Sequence, residues 1–300
     1  MYVIAGATGQ TGSVVAESLL AQGKPITVIA RTEEKGQSWR AKGAQVAVGS
    51  LEDTVGLTRI LANAEGAYFL VPPNYDATDL SATQKLVADS LAKAARESGI
   101  PHVVFLSSIA GHLASGTGPI RGLHYAESVL TSLATNVTIL RPAYFLENWA
   151  PVVPMAATNG ILPTFLTPNR KIPMIATKDI GLIAAESLIN PTNGVRIVEL
   201  TGPEDYCPDD IAAILSSILN HEVHAQAVPL SAAASTFTHA GFSESVARLF
   251  EEMLAGLNSG HVSFEHEQHE GIEFREGTVN AAEVLKELLG RSERAQAGSA

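Results

Sequence analysis

The residues with the clearest chemical purpose are three glycines, Gly6, Gly9 and Gly12, set three apart in the run Gly6-Ala7-Thr8-Gly9-Gln10-Thr11-Gly12. Such a turn brings bare backbone N–H groups close to a phosphate, and the free donors of a following helix add partial positive charge. The run joins an apolar segment, Tyr2–Ala5, to a helical stretch, Val14–Leu20, which makes it a strand-to-helix turn. Positive charge lies at the end of the next apolar run, Ile26–Ala30, where Arg31 stands with Lys35 one helical turn on. Turns that bind a ribose 2′-hydroxyl carry an acid there, whereas a guanidinium fits a 2′-phosphate as a fork. Together these residues predict a dinucleotide with the additional phosphate, NADP(H) in preference to NAD(H). The plainer alternative is a tight turn without a ligand, and solvated charges beside Glu33 and Glu34.

These groups need a frame. Strand-like runs at Tyr2–Ala5, Ile26–Ala30, Gln45–Val48, Ala67–Val71, His102–Ser107 and Val137–Leu140 alternate with helical stretches such as Leu80–Glu97. Most of the runs are continuously apolar, as parallel strands covered on both faces are. The βαβ series predicts an α/β fold, a Rossmann-like doubly wound parallel sheet over residues 1–150, with ligands beyond the carboxyl ends of its strands. Candidate cofactor contacts at that rim are Gly6, Thr8, Gly9, Gln10, Thr11, Gly12, Arg31, Lys35, Ser50, Leu51, Val71, Pro72, Pro73, Ser107, Pro142, Ala143 and Tyr144. Tyr75, Phe145, Asn148 and Trp149 are the candidate substrate contacts. Residues 170–202 are expected to return to the sheet through a helix at Asp179–Ile189 and a strand at Arg196–Leu200. Residues 151–169 and 203–293 then form a smaller, mostly helical substrate lobe, and 294–300 a flexible tail.

Composition narrows the class. A chain of 300 residues that is 46% hydrophobic and 17% charged holds enough apolar side chains for a substantial core. The single cysteine, Cys207, has no activating base beside it and suits a reducing cytoplasm. Met1 runs straight into the first strand, and the uncharged stretch 148–169 is broken by Pro151, Pro154, Pro163 and Pro168, so neither secretion nor a membrane span is expected. Residues 1–200 hold 15 acidic and 15 basic side chains, against 16 and 5 in residues 201–300. A direct nucleic-acid partner is excluded by that balance, because it calls for a clustered basic surface. His221 with His224, and His266 with Glu267 and His269, lack a helix signature with a third ligand, so no metal is expected. A homodimer is compatible with the composition and is not demanded by it.

Reductases of this size often carry a tyrosine and a lysine four residues apart, the lysine lowering the phenol pKa so that it can donate a proton. Tyr125 lies in the right region, but Val129 stands where the lysine would be. His124 is the other candidate acid, and Tyr125 and His124 are the candidate catalytic residues. An acceptor whose reduction needs little acid assistance, such as a quinone or another conjugated ring, suits this set best. A cofactor-binding redox sensor that acts on a protein partner is the alternative, and a dehydratase or isomerase a lesser one.

Gly6 to Gly12, Arg31 and Lys35, Arg141-Pro142-Ala143-Tyr144-Phe145-Leu146-Glu147-Asn148, Lys178-Asp179-Ile180 and Thr201-Gly202-Pro203 occur in this order. In this the chain resembles the NmrA-like branch of the atypical short-chain dehydrogenases/reductases over nearly its whole length. The resemblance implies an NADPH-dependent quinone, triphenylmethane-dye or azo-dye reductase, or an NADP(H)-sensing regulator. It also implies that the glycine turn holds the pyrophosphate, that Arg31 and Lys35 hold the 2′-phosphate, and that Pro142 to Tyr144 flank the nicotinamide. Several relatives keep a lysine on the helix that here reads Leu123 to Leu130, and this chain has none there.

Overall fold

The computed structural model describes residues 1–265 and 271–297. Its first half repeats a strand and a helix: β1 (Tyr2–Ile4), α1 (Gln10–Ala21), β2 (Ile26–Ala30), α2 (Glu33–Ala41), β3 (Gln45–Val48), α3 (Thr54–Leu61), β4 (Gly66–Leu70), α4 (Leu80–Ser98), β5 (His102–Leu106), α5 (Ile120–Thr131) and β6 (Asn136–Pro142). The second half is more varied: β7 (Tyr144–Phe145), α6 (Val153–Asn159), β8 (Ile161–Thr164), β9 (Ile172–Ile175), α7 (Thr177–Ile189), β10 (Val195–Thr201), β11 (Asp205–Tyr206), α8 (Pro208–Leu219), β12 (His224–Ala227), α9 (Ala233–His239), α10 (Glu244–Ser259), β13 (Glu273–Glu276) and α11 (Ala281–Ala297).

Eight strands make one parallel sheet in the order β13-β10-β6-β5-β4-β1-β2-β3. This is the expected α/β, Rossmann-like doubly wound fold. Every residue of β1 and β2 is buried, because helices cover both faces. Val15, Leu19, Ile180 and Ala184 from α1 and α7 pack on one face, and Leu57, Leu61, Val87, Leu91 and Leu130 from α3, α4 and α5 pack on the other. Each buried leucine of this kind contributes on the order of 2 kcal/mol by leaving water. α7 lies close on α1 because Gly181 has no side chain; a Cβ there would come within 2.5 Å of Val14 Cβ.

Strand order reverses between β1 and β4, which opens a crevice at their carboxyl ends. The expected strand at 196–200 lies in the sheet as β10. The second half is mostly helical outside the main sheet, as expected, through α6, α8, α9, α10 and α11, with β8 paired to β12 and β11, β9 and β7 in a small three-stranded sheet. Two details of the expectation need correction. β13 becomes the outer strand of the main sheet. Its Glu273-Phe274-Arg275-Glu276 sequence pairs on one side only and keeps three residues exposed, so it lacks the apolar run of an inner strand. α11 continues through Ala297, which places residues 294–297 in a helix and not in a tail. His266, Glu267 and His269 lie outside the described residues, as do 298–300. Among the described residues no helix is long and apolar enough to cross a membrane.

Candidate functional site

Between β1 and α1 the backbone turns through Gly6 at φ +67°, and a Cβ there would stand 2.5 Å from Leu70 Cδ2 at the end of β4. At Gly12 a Cβ would lie 2.4 Å from the Gly6 carbonyl oxygen, so the helix can start this close to the turn only without a side chain. Gly9 caps α1 with no side-chain hydrogen bond, and Thr8, Gly9 and Gln10 are exposed. The first-turn N–H groups therefore have no side-chain cap among the described residues, and the cradle fits the pyrophosphate of a dinucleotide. Thr11 differs from its neighbours: it is buried, and its Oγ1 accepts from the Tyr68 hydroxyl at 2.9 Å. It serves the scaffold, and burial raises the Tyr68 phenol pKa well above its usual value.

The register pairs Ile4 with Val28 and Val28 with Val46, so Arg31 emerges beside the glycine turn and opposite Gly49. Neighbouring acids do not neutralise it. Glu33 takes Arg40 at 2.6 Å, while Thr32 Oγ1 caps α2 by accepting from the Lys35 N–H at 3.3 Å. Arg31 and Lys35 are both exposed and have no ion pair among the described residues. Along the same rim Ser50 is exposed, with its hydroxyl accepting from the Glu52 N–H; Leu51, Val71 and Pro72 are half-buried, and Pro73 is exposed.

On the other side of the crevice the rim is built from buried charge. Arg141, next to the end of β6, is 3% exposed and grips Glu127 of α5 with Nε and a terminal nitrogen, the latter at 2.6 Å. Its second terminal nitrogen bonds Glu265 and lies 3.9 Å from Glu199, its cross-strand neighbour on β10. Glu127 also accepts from the Ser107 hydroxyl at 2.5 Å. Gly111 leaves room for that bond, because a Cβ there would fall 2.2 Å from Glu127 Oε1. Oxygen and nitrogen atoms of His112, Glu199 and Glu265 lie within 4.8 Å of one another, but the Arg141 guanidinium already supplies a cation to this group. Burial pushes the His112 pKa down, and Glu265 opposes that shift. Nothing in the local spacing announces this network; the available signal was an arginine closing the apolar run Val137–Leu140, which has to find a carboxylate if buried.

His124 Nδ1 lies 2.9 Å from the Gly111 carbonyl oxygen, which can only accept, so Nδ1 carries the hydrogen and Nε2 is left to exchange a proton. The preceding residue, Ala110, is fully buried at φ +61°, a conformation that costs about 1–2 kcal/mol for a residue with a side chain. Tyr125 is not brought to the rim. Its hydroxyl donates to Asp89 on α4 at 2.7 Å, and that bond raises the phenol pKa. Pro142 and Ala143 are buried, with the Ala143 N–H given to the Leu200 carbonyl. Tyr144 and Phe145 are half-buried, and burial pushes the Tyr144 phenol up to about 12, opposed by a bond to the exposed Asn148. Trp149 is 3% exposed and packs in the core.

A model of the NmrA-like family matches residues 2–276. The chain belongs to the NmrA-like family. It is 25% identical over 257 residues to an NAD(P)H azoreductase of Xenophilus azovorans, covering 85% of this chain and 86% of the relative. It is 25% identical over 266 residues to quinone oxidoreductase 2 of Escherichia coli K12, covering 87% and 89%. A triphenylmethane reductase of Citrobacter sp., solved in complex with NADP(H), shares the fold with a TM-score of 0.80 at 21% identity, over 96% of this chain and 99% of that one. In this NmrA-like chain several motif residues beyond the turn hold the scaffold. Glu147 is buried and accepts from the Thr177 N–H and hydroxyl at the start of α7, while Asp179 accepts from the Thr278 and Val279 N–H groups before α11.

Proposed function

We propose that this NmrA-like protein is an NAD(P)H-dependent oxidoreductase that reduces a conjugated small molecule of the quinone or azo type. One observation carries the reading: the uncapped amino end of α1 shares one rim with Arg31 and Lys35, which have no ion pair among the described residues. Two relatives of similar length, named as an NAD(P)H azoreductase and a quinone oxidoreductase, support it.

Bound cofactor supplies the hydride. Thr8, Gln10 and Gly12 would bind its pyrophosphate through backbone N–H groups on the turn that Gly6 and Gly9 shape, the Gly9 N–H being given to the Gly6 carbonyl, and Arg31 and Lys35 would bind a 2′-phosphate, which favours NADP(H) over NAD(H). Ser50, Leu51, Val71, Pro72 and Pro73 line the rim between. Pro142, Ala143 and Tyr144 flank the nicotinamide beside Ser107, and Phe145 and Asn148 face the acceptor. His124 in its imidazolium form, protonated at Nε2 from solvent, would give that proton to the reduced acceptor and be left as the neutral ring with its hydrogen on Nδ1 toward the Gly111 carbonyl.

The test is NADPH oxidation, followed by loss of nicotinamide absorbance, across a panel of quinones and azo dyes. Acceptor-stimulated turnover is expected, and His124→Gln should lower kcat by about a hundredfold. Tight NADPH binding with no acceptor raising the rate above background would overturn the reading in favour of an NADP(H) sensor.

A further inference from the structure

The chain carries 9 Phe, 6 Tyr and 2 Trp, and five of these rings meet at one seam outside the sheet. Tyr75, in the loop after β4, stacks on Phe242 between α9 and α10 with centroids 4.4 Å apart and planes at 20°. Phe250 of α10 meets Tyr75 edge-on at 5.9 Å and Phe242 at 5.3 Å. Phe237 of α9 stacks on Phe242 at 5.2 Å, and Phe165 stands 5.9 Å behind Phe237. Rings that merely fill a core are closed off, as Tyr68, Phe69 and Phe105 are at 0% exposure. None of these five is buried, and Tyr75 keeps 44% of its surface open.

The loop that carries Tyr75 is pinned. The Ser243 N–H donates to the Tyr75 carbonyl at 2.8 Å, the Ser243 hydroxyl to the Ala77 carbonyl at 2.6 Å, and the Ser245 hydroxyl to the Thr78 carbonyl at 3.0 Å. The Tyr75 hydroxyl has no partner among the described residues, so the ring is fixed from behind and not through its polar end. α10 also packs on the loop before α5, where a Cβ on Gly118 would strike the Leu249 carbonyl at 1.9 Å. One helix thus spans the loops after β4 and β5, at the carboxyl edge where ligands of this fold bind.

We propose that Tyr75 is a preformed stacking platform for a flat conjugated molecule, with Phe242 as its buttress and Ser243 and Ser245 as its pins. Ordering the ring before binding removes part of the entropic cost of capture, and a π-face attracts any planar conjugated system. That the captured molecule is the hydride acceptor rests on the reductase reading; the capture itself does not.

The experiment is equilibrium dialysis of menadione, a planar naphthoquinone, against the full chain saturated with NADP⁺, so that no reduction occurs. Tyr75→Ala should weaken menadione binding by about tenfold, the size of one lost aromatic stack, and Tyr75→Phe by less than about twofold. Phe242→Ala should give an intermediate loss, with NADP⁺ affinity unchanged in all three variants. The platform is refuted by a parent protein that does not bind menadione, by Tyr75→Ala binding as the parent does, by Tyr75→Phe falling as far as Tyr75→Ala, or by parallel loss of NADP⁺. If menadione binds with the expected pattern while NADPH is never oxidised, the platform stands and the reductase reading falls.

Discussion

The two sides of the crevice are built on opposite principles. Around β1 and β2 the polar groups are left unsatisfied: an uncapped helix end, and Arg31 and Lys35 without ion pairs among the described residues. Around β5 and β6 Arg141, Glu127 and Ser107 are buried and bound to one another. An open donor costs little in water and is ready for a ligand, whereas a buried charge is tolerable only when its partner is in place. The first side is built to receive something, and the second holds the shape that receives it.

The contrast can be broken by three substitutions that ought to act on different observables. Glu127→Ala leaves the Arg141 guanidinium buried without its bidentate partner and should lower stability by about 3–5 kcal/mol, seen in chemical denaturation. A loss below about 1 kcal/mol would mean that the network is not what holds this side. Acidification probes the opposite, amino end of the same strands through His102, the first residue of β5, buried at 1% exposure with Nε2 3.2 Å from the Thr138 hydroxyl. Burial, reinforced by Arg196, pushes its pKa down to about 4. The unfolded chain, with a value near 6.5, then takes up the proton first, so stability is whole above about pH 6.5 and is lost as the pH falls toward 4, by up to about 3 kcal/mol. Replacing His102 with Gln should flatten that slope. On the open side, Arg31→Ala should leave the melting temperature unchanged and weaken NADPH by roughly ten- to a hundredfold, the worth of a charge-assisted bond, without affecting NADH. Equal losses for the two cofactors would remove the part assigned to Arg31.

The same division explains what the sequence disclosed. The glycine turn and Arg31 are legible because contiguous residues determine them: a missing Cβ and a charge at a strand end are local properties. The parallel sheet is legible for a related reason, since runs apolar on both faces demand helices above and below. The Arg141 network joins positions 127, 141, 199 and 265 and obeys no period. Tyr125 illustrates the limit well. Its place on the helix suggested an acid, but Asp89 on a neighbouring helix claims its hydroxyl. Trp149 was expected at the acceptor wall and is held in the core by contacts distant in sequence. The seam of Tyr75 and Phe242 was half visible, because nothing near Tyr75 foretells a ring 167 positions away.

Gly181 draws α7 so near to α1 that the two helices share a wall, and Asp179, two residues earlier, ties α7 to the segment before α11. Whatever quiets the amino end of α1 is therefore felt along a line of rigid contacts that ends at the last helix. Saturation with a dinucleotide should slow amide hydrogen exchange in α7 and at Val279, as a signature of mechanical continuity across the molecule.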